Sequence, residues 1–337
     1  MKKIFGTDGI RGISNVQLTA ELALKVGKAI SQVLAPNGGK IIIGKDPRIS
    51  SDFIECALSS GLSSCGVNVI NIGTIPTPGV AFLTKTTSSN SGIMISASHN
   101  SFEFNGIKVF DHNGYKISDE LQEKIEDLIV SDFRGIENTP HDKIGSVKFE
   151  KSYLSKYVSY LRKCIKEVNL KVLFDCANGA SCDCVSKVFR HLPKCNFINN
   201  FPNGININDK CGSTYLLSLS HEVISNHFDL GIAYDGDADR CLAVDENGEV
   251  IDGDHIMGAL ATYMKKNSTL SNNVVVGTLM SNMALSDFLK DHNIDFFLCC
   301  TGIDPKIRHI AFKLNFIPRK FATQEDAQLV LKRKFIV

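Results

Sequence analysis

Residues 235–240 read Asp-Gly-Asp-Ala-Asp-Arg and follow the apolar run of residues 228–234. Where a strand ends, extended backbone sends Asp235, Asp237 and Asp239 to one side, and Gly236 and Ala238 leave room for them to converge. Three like charges that close call for a cation, and hard oxygen ligands suit Mg2+ or Ca2+ better than zinc. A solvated acidic loop is the bland alternative, and it sits poorly at the end of so apolar a strand. An EF-hand loop also matches Asp235, Asp237, Asp239 and Glu246. Its glycine position, however, is Arg240, and an apolar strand over residues 241–244 would interrupt it.

A second apolar run, residues 92–95, leads into Ser96-Ala97-Ser98-His99-Asn100. The Ser98 hydroxyl could be a nucleophile or a phosphate carrier, although no G-x-S-x-G elbow surrounds it. A hydroxyl near a divalent cation fits phosphoryl transfer, in which the metal offsets charge developing on oxygen. Taken alone, Ser98 is equally a turn serine and His99 a structural hydrogen-bond donor. At the amino terminus, Phe5-Gly6-Thr7-Asp8-Gly9-Ile10-Arg11-Gly12 combines glycines that let backbone approach a phosphate with the forked donor Arg11. On composition alone, a flexible turn explains it as well. Cys182, Cys184, His191 and Cys195 could be read as a zinc cluster. Helical spacing of Cys184, Val188 and Leu192 favours thiols packed as small hydrophobes instead.

Three segments could position such groups. Each has a short β-branched run, a small-residue loop and an amphipathic stretch, and they begin at Lys40, Lys171 and Asn273. The runs are too short for helices and too apolar for half-exposed strands, which predicts an α/β protein with mixed or parallel sheets. Helical periodicity covers residues 20–34 and 152–168. The polar stretch 131–148 marks one boundary, and a second falls near Gly253, after a turn at Asn247-Gly248. The expected domains are 1–148, 149–253 and 254–337.

The length of 337 residues accommodates two or three such domains. With 37 basic against 36 acidic residues, neither disorder nor a polyanion-binding field is indicated, so nucleic acid is not an expected partner. Residues 1–9 have no apolar h-region and no run approaches the ~18 residues of a membrane helix, so the expected location is cytoplasmic, with no membrane partner. Eleven cysteines without a regular frame read as free thiols. The charge is uneven: from Cys299 to Val337 eight basic residues face three acidic ones.

Together, FGTDGIRG (5–12), GKDPRIS (44–50), PTPGVAFLT (76–84), GIMISASHNSFEFNGIKVF (92–110), DCANGAS (175–181), FPNGININDKCGSTY (201–215), DLGIAYDGDADRCLAVDENGEVIDGD (229–254) and GTLMSN (277–282) resemble the α-D-phosphohexomutase superfamily. The FGTDGIRG opening and the ISASHN loop place the resemblance in its phosphoglucosamine mutase branch. It covers about residues 1–298.

The resemblance implies repeated phosphohexomutase-type α/β domains and an isomerase that interconverts glucosamine 6-phosphate and glucosamine 1-phosphate, on the route to UDP-N-acetylglucosamine and peptidoglycan. By the same match, Ser98 is carried as phosphoserine. One Mg2+ per chain is held by Asp235, Asp237, Asp239 and a phosphate oxygen on Ser98. Lys108 works near the transferring oxygen, and Thr7, Arg11, His99 and Arg240 border the phosphoserine, with Arg240 equally a salt-bridge partner of the aspartates. The implied partners are a phosphosugar substrate and a sugar bisphosphate for priming, with a homodimer left open.

The sequence also departs from the family. Ser101 replaces a usual proline, Pro47 a usual threonine and Asn203 a usual aspartate. Beyond Leu298 neither the Gly-Glu-x-Ser-Gly-His sugar loop nor the Arg-x-Ser-Gly-Thr-Glu phosphate loop occurs. The expectation is an incomplete third domain, an absent fourth, a tail arising from a frameshift or early stop, and little mutase turnover. The competing functions are a phosphomannomutase/phosphoglucomutase-type relative and a non-catalytic Mg2+- and phosphosugar-binding remnant.

Overall fold

Isoleucine- and valine-rich runs form the centres of two sheets, because side chains on alternate faces can then bury against helices on both sides. The computed structural model describes residues 4–6, 8–134, 139–165 and 169–299. These form two compact units, residues 1–248 and 249 onward.

The first unit opens with β1 (Ile10–Ile13), α1 (Ala20–Leu34), β2 (Gly39–Lys45), α2 (Ser51–Ser64), β3 (Val67–Thr74) and α3 (Thr77–Thr86). Next come β4 (Ser91–Ile95), β5 (Phe104–Phe110), α4 (Asp119–Val130), β6 (Val147–Phe149) and α5 (Ser152–Arg162). The sheet order is β1-β5-β4-β2-β3-β6. β2 pairs in parallel with β3 and β4, whereas β5 is antiparallel to both β4 and β1. Ile41, Ile43, Ile93 and Ile95 face one way, against Val26 and Ile30 of α1 and Ile54 and Leu58 of α2. Ile42 and Gly44 lie on the opposite face, where a Cβ on Gly44 would collide with Val80 of α3 and with Ile75.

The unit continues with β7 (Val172–Asp175), α6 (Ser181–Phe189), β8 (Cys195–Ile198), α7 (Leu217–Ser225), β9 (Leu230–Tyr234) and β10 (Cys241–Asp245). Within the unit these strands run in the order β10-β9-β7-β8. Leu173, Ala233 and Val244 pack with Leu219 and Val223 of α7 on one face. Phe174 stacks on Phe189 of α6, with 4.5 Å between ring centroids, on the other. α5 lies against both α3 and α6, and its Tyr160 stacks on Phe82 of α3 at 4.2 Å. That helix thereby ties the two sheets into one body.

The second unit contains β11 (Val250–Ile251), α8 (Gly253–Lys266), β12 (Val274–Thr278), α9 (Met283–Asp291) and β13 (Asp295–Cys299). β12 and β13 pair in parallel over a small core of Ala261, Leu285, Leu289 and Ile294.

All three predicted strand–loop–helix segments are present, as β2–α2, β7–α6 and β12–α9. The periodicity over residues 20–34 coincides with α1. The helix expected over 152–168 ends at Arg162. The nine cysteines whose side chains are described are free thiols, with Cys182 and Cys184 buried on α6. No described helix is long and apolar enough to cross a membrane. The tail beyond Cys299, on which the expectation of a frameshift rests, lies outside the described residues.

Candidate active site

Ser98 occupies the loop between β4 and β5 and is 1% exposed. Its backbone is left-handed, with φ of 55°, a region that non-glycine residues enter only when their surroundings hold them there. Its amide donates to Ser96 Oγ at 2.9 Å, and Ser96 Oγ donates to the buried Asp46 Oδ2 at 2.6 Å. The Ser98 hydroxyl donates to Asp235 Oδ2 at 2.6 Å.

The aspartates converge at the end of β9, with one carboxylate oxygen from each of Asp235, Asp237 and Asp239 within 4.8 Å of the others. The route differs from the expected extended backbone. Residues 236–237 form a turn, closed by the Ala238 amide on the Asp235 carbonyl at 2.9 Å, with Ala238 at φ 52°. Turning the chain back, rather than alternating it, brings the three carboxylates together. Asp235 Oδ1 also accepts from the amides of Asp239 (3.1 Å) and Arg240 (3.0 Å), which rigidifies the turn.

Close backbone approach is required here. A Cβ on Gly236 would lie 2.6 Å from the Ser98 carbonyl oxygen, and one on Gly179 would lie 2.4 Å from the Gly236 carbonyl oxygen. Glycine at both positions lets the three loops stack.

Lys108 projects from β5 and donates to Asp237 Oδ2 at 2.6 Å and Asp239 Oδ2 at 3.3 Å. Burial opposes its charge, but Asp237, Asp239 and Asp235 outweigh that and hold the ammonium above the usual lysine range. Thr77, at the first turn of α3, donates through its hydroxyl to Asp237 Oδ2, and its amide donates to the Asp237 carbonyl at 2.9 Å. Asp237 Oδ1 is buried without a hydrogen-bond partner. Burial, together with repulsion from Asp237 and Asp239, pushes the Asp235 carboxyl up to about 7. A buried carboxylate oxygen with no donor and a strained trio of acids are what a divalent cation would satisfy, so this donor set fits a hard metal ion.

Arg11, His99 and Arg240 rim the same place. Arg11 of β1 pairs in register with Gly106 of β5, and its Nη2 contacts Asp8 at 3.0 Å while Nε is buried without a partner. His99 Nδ1 is likewise buried and unpartnered. Burial, then the charges of Arg240 and Arg11, hold the His99 pKa below its ordinary value. Arg240 is half-exposed, with Nε 3.9 Å from Asp239 Oδ1 and 4.0 Å from Asp235 Oδ2. Thr7 lies outside the described residues. Sequence reasoning gave no role to Asp46, Arg48, Thr77 or Asn208, all of which contact this site. Their signal was their place in the matched segments GKDPRIS, PTPGVAFLT and FPNGININDKCGSTY.

Profiles of the phosphoglucomutase/phosphomannomutase alpha/beta/alpha domains match the chain in order: domain I over residues 2–134, domain II over 151–248 and domain III over 252–306. The third match continues to residue 306, past the Leu298 limit read from the sequence. A phosphoglucosamine mutase of Clostridium acetobutylicum is 46% identical over 299 residues, covering 87% of this chain and 67% of that protein. The chain belongs to the phosphoglucosamine mutase family. It spans about two thirds of the length of this relative. As a family member it also shares its fold with a putative phosphomannomutase from Thermus thermophilus (TM-score 0.77, 19% identity, covering 99% of this chain and 80% of that one). An Aspergillus fumigatus N-acetylphosphoglucosamine mutase in complex with GlcNAc-6P and magnesium matches with TM-score 0.51 and 16% identity, over 97% of this chain and 72% of that one.

Proposed function

We propose that this chain interconverts glucosamine 6-phosphate and glucosamine 1-phosphate through a phosphoryl group carried on Ser98 Oγ. The observation that carries the reading is the 2.6 Å contact of the Ser98 hydroxyl with Asp235, inside a trio of acids that also grips Lys108. In the forward half-reaction a sugar hydroxyl attacks the phosphorus on Ser98. The bond from phosphorus to Ser98 Oγ breaks, the proton released by the attacking hydroxyl passes to that oxygen, and the sugar leaves with two phosphates. Reorientation of that bisphosphate lets Ser98 Oγ attack the other phosphate; the bond from that phosphorus to the sugar oxygen breaks, the serine proton passes to that oxygen, and the phosphoserine and the isomeric monophosphate result.

Asp235, Asp237 and Asp239 would hold one Mg2+ together with a phosphate oxygen on Ser98. Bound there, the ion offsets the charge of the transferring group. Lys108, kept protonated by Asp237 and Asp239, lies where it can stabilise charge on the transferring oxygens and lend a proton to the departing one. Arg11 Nε and His99 Nδ1, both buried without partners, are donors for phosphate oxygens, and Arg240 adds positive charge beside Asp239. Thr7, outside the described residues, is given a phosphate-binding role by its sequence match alone. The domains of this reading are 1–148 with the serine loop, 149–253 with the aspartate turn, and 254–337; its setting is the cytoplasm, where phosphosugars are metabolised.

The test is a coupled assay of the chain with Mg2+ and a trace of sugar bisphosphate, comparing glucosamine, glucose and mannose 6-phosphates. Slow turnover that prefers the glucosamine compound, in keeping with the little turnover expected from the sequence, and that is lost in Ser98→Ala, is the expected result. Preference for glucose or mannose phosphate, or full activity in Ser98→Ala, would overturn it.

A further inference from the structure

The loop that carries Ser98 is gripped by two side chains to which the chemistry above gives no part. Arg48, in the connection between β2 and α2, is 1% exposed, and all five of its guanidinium N–H groups are engaged. Nη2 donates to the carbonyls of Ser98 (3.0 Å) and Asn100 (2.8 Å), and Nη1 to those of Ser101 and Phe104 (3.0 Å for Phe104). Nε donates to Asp46 Oδ2 at 2.8 Å. Asp46 is itself fully buried, and its Oδ1 accepts from the Arg48 amide and from Ser51 Oγ, each at 3.1 Å. A guanidinium is buried at large desolvation cost, so this fully paired one is a structural commitment of the loop.

Asn208 comes from the segment between β8 and α7. Its Nδ2 donates to the same two carbonyls, Ser98 at 2.9 Å and Asn100 at 3.0 Å. It is anchored in turn: its amide donates to the Ala177 carbonyl at 3.0 Å, and the Ala177 amide donates to the buried Asp175 at 2.9 Å. Two carbonyls of one loop are thus each held twice, once from the connection between β2 and α2 and once from the segment between β8 and α7.

We propose that Arg48 and Asn208 are positioning residues, a two-sided clamp that keeps Ser98 in its left-handed turn with Oγ aimed at Asp235. This rests on the reading of Ser98 as phosphoryl carrier and names the device that aims it. A phosphoryl carrier must return to one geometry after each transfer, and an unsupported left-handed serine would relax away from it.

Arg48→Ala would strand Asp46 as an unpaired buried carboxylate, so the informative variants are Asn208→Gly and Arg48→Lys. Glycine suits the left-handed backbone of Asn208 (φ 58°) and deletes only the side chain, while lysine keeps the charge opposite Asp46 and loses the fork. Two measurements are made on the full chain: hydrogen exchange over residues 96–104, and the rate of phosphoryl uptake from glucose 1,6-bisphosphate with Mg2+, read by intact mass. Both variants are expected to exchange about tenfold faster across 96–104 while residues 91–95 stay protected. Uptake falls about tenfold or more at saturating bisphosphate, with little change in the concentration for half-maximal rate. Unchanged exchange across 96–104, or uptake at the parent rate, would overturn the clamp. If the parent chain takes up no phosphoryl group, the carrier reading falls on its own, and the exchange measurement still decides whether the clamp exists.

Discussion

Gly236→Ala tests how closely the aspartate turn must approach the serine loop. The added Cβ would lie 2.6 Å from the Ser98 carbonyl oxygen and 2.8 Å from both Asn208 Nδ2 and Ile207 Cδ1, where ordinary contact begins at 3.4 Å. The first obstacle is backbone, so turn and loop must part by roughly 3.4 − 2.6 = 0.8 Å. Taken up along the 2.6 Å bond from Ser98 Oγ to Asp235, a shift of that size lengthens it to about 3.4 Å, past the ~2.5–3.0 Å of ordinary O–H···O bonds. Overpacking costs about 1–3 kcal/mol of stability, whereas a misplacement near 1 Å costs about a hundredfold in rate. The variant should therefore fold and melt a few degrees lower, yet take up phosphoryl from a hexose bisphosphate about a hundredfold more slowly. Uptake within about threefold of the parent rate, by a folded variant, would refute the claim that this contact sets the geometry.

Lys108→Met leaves Asp237 and Asp239 without their ammonium and should slow phosphoryl uptake by about two to four powers of ten in a stopped-flow or quench assay. Mg2+ at a hundred times its dissociation constant should stabilise the chain by about 2.7 kcal/mol in denaturant titrations, and Asp237→Asn should remove most of that gain. Asp252 caps α8, accepting from the Asp254 and His255 amides at 3.0 Å, and these bonds, with His255, hold its carboxyl below the usual range. A carboxyl whose folded pKa is depressed adds stability above its unfolded pKa and loses it as pH falls through the folded value. Asp252→Ala should accordingly cost about 1 kcal/mol at neutral pH, and the gap should close in acid; a gap that persists would show the cap is not the cause.

Much of the scaffold was legible because it is written locally. The spacing of Leu22, Val26, Ile30 and Val33 marks α1, and the β-branched runs at Ile41 and Val172 mark buried strands. Asp235, Asp237 and Asp239 declared themselves by spacing, but the convergence was ascribed to the wrong backbone, since a left-handed Ala238 cannot be read from an alanine. α5 stops short of its apolar pattern, at Arg162. The supports of the serine loop lie in segments that match the family, but their grip on the loop is not written there. Arg48 and Asn208 lie 50 and 110 residues from Ser98 in sequence, and Thr77 lies 160 from Asp237, so only the folded sheets bring them together.

Whether Ser98 carries the phosphoryl group beside the three aspartates is open to direct measurement. The most direct measurement incubates the chain with glucose 1,6-bisphosphate and Mg2+ and maps any phosphate by peptide mass spectrometry. One phosphoryl group per chain on Ser98, absent in Ser98→Ala and strongly reduced by chelation of the metal, is the expected result. A phosphate that persists in Ser98→Ala, or its absence from the parent chain, would contradict it.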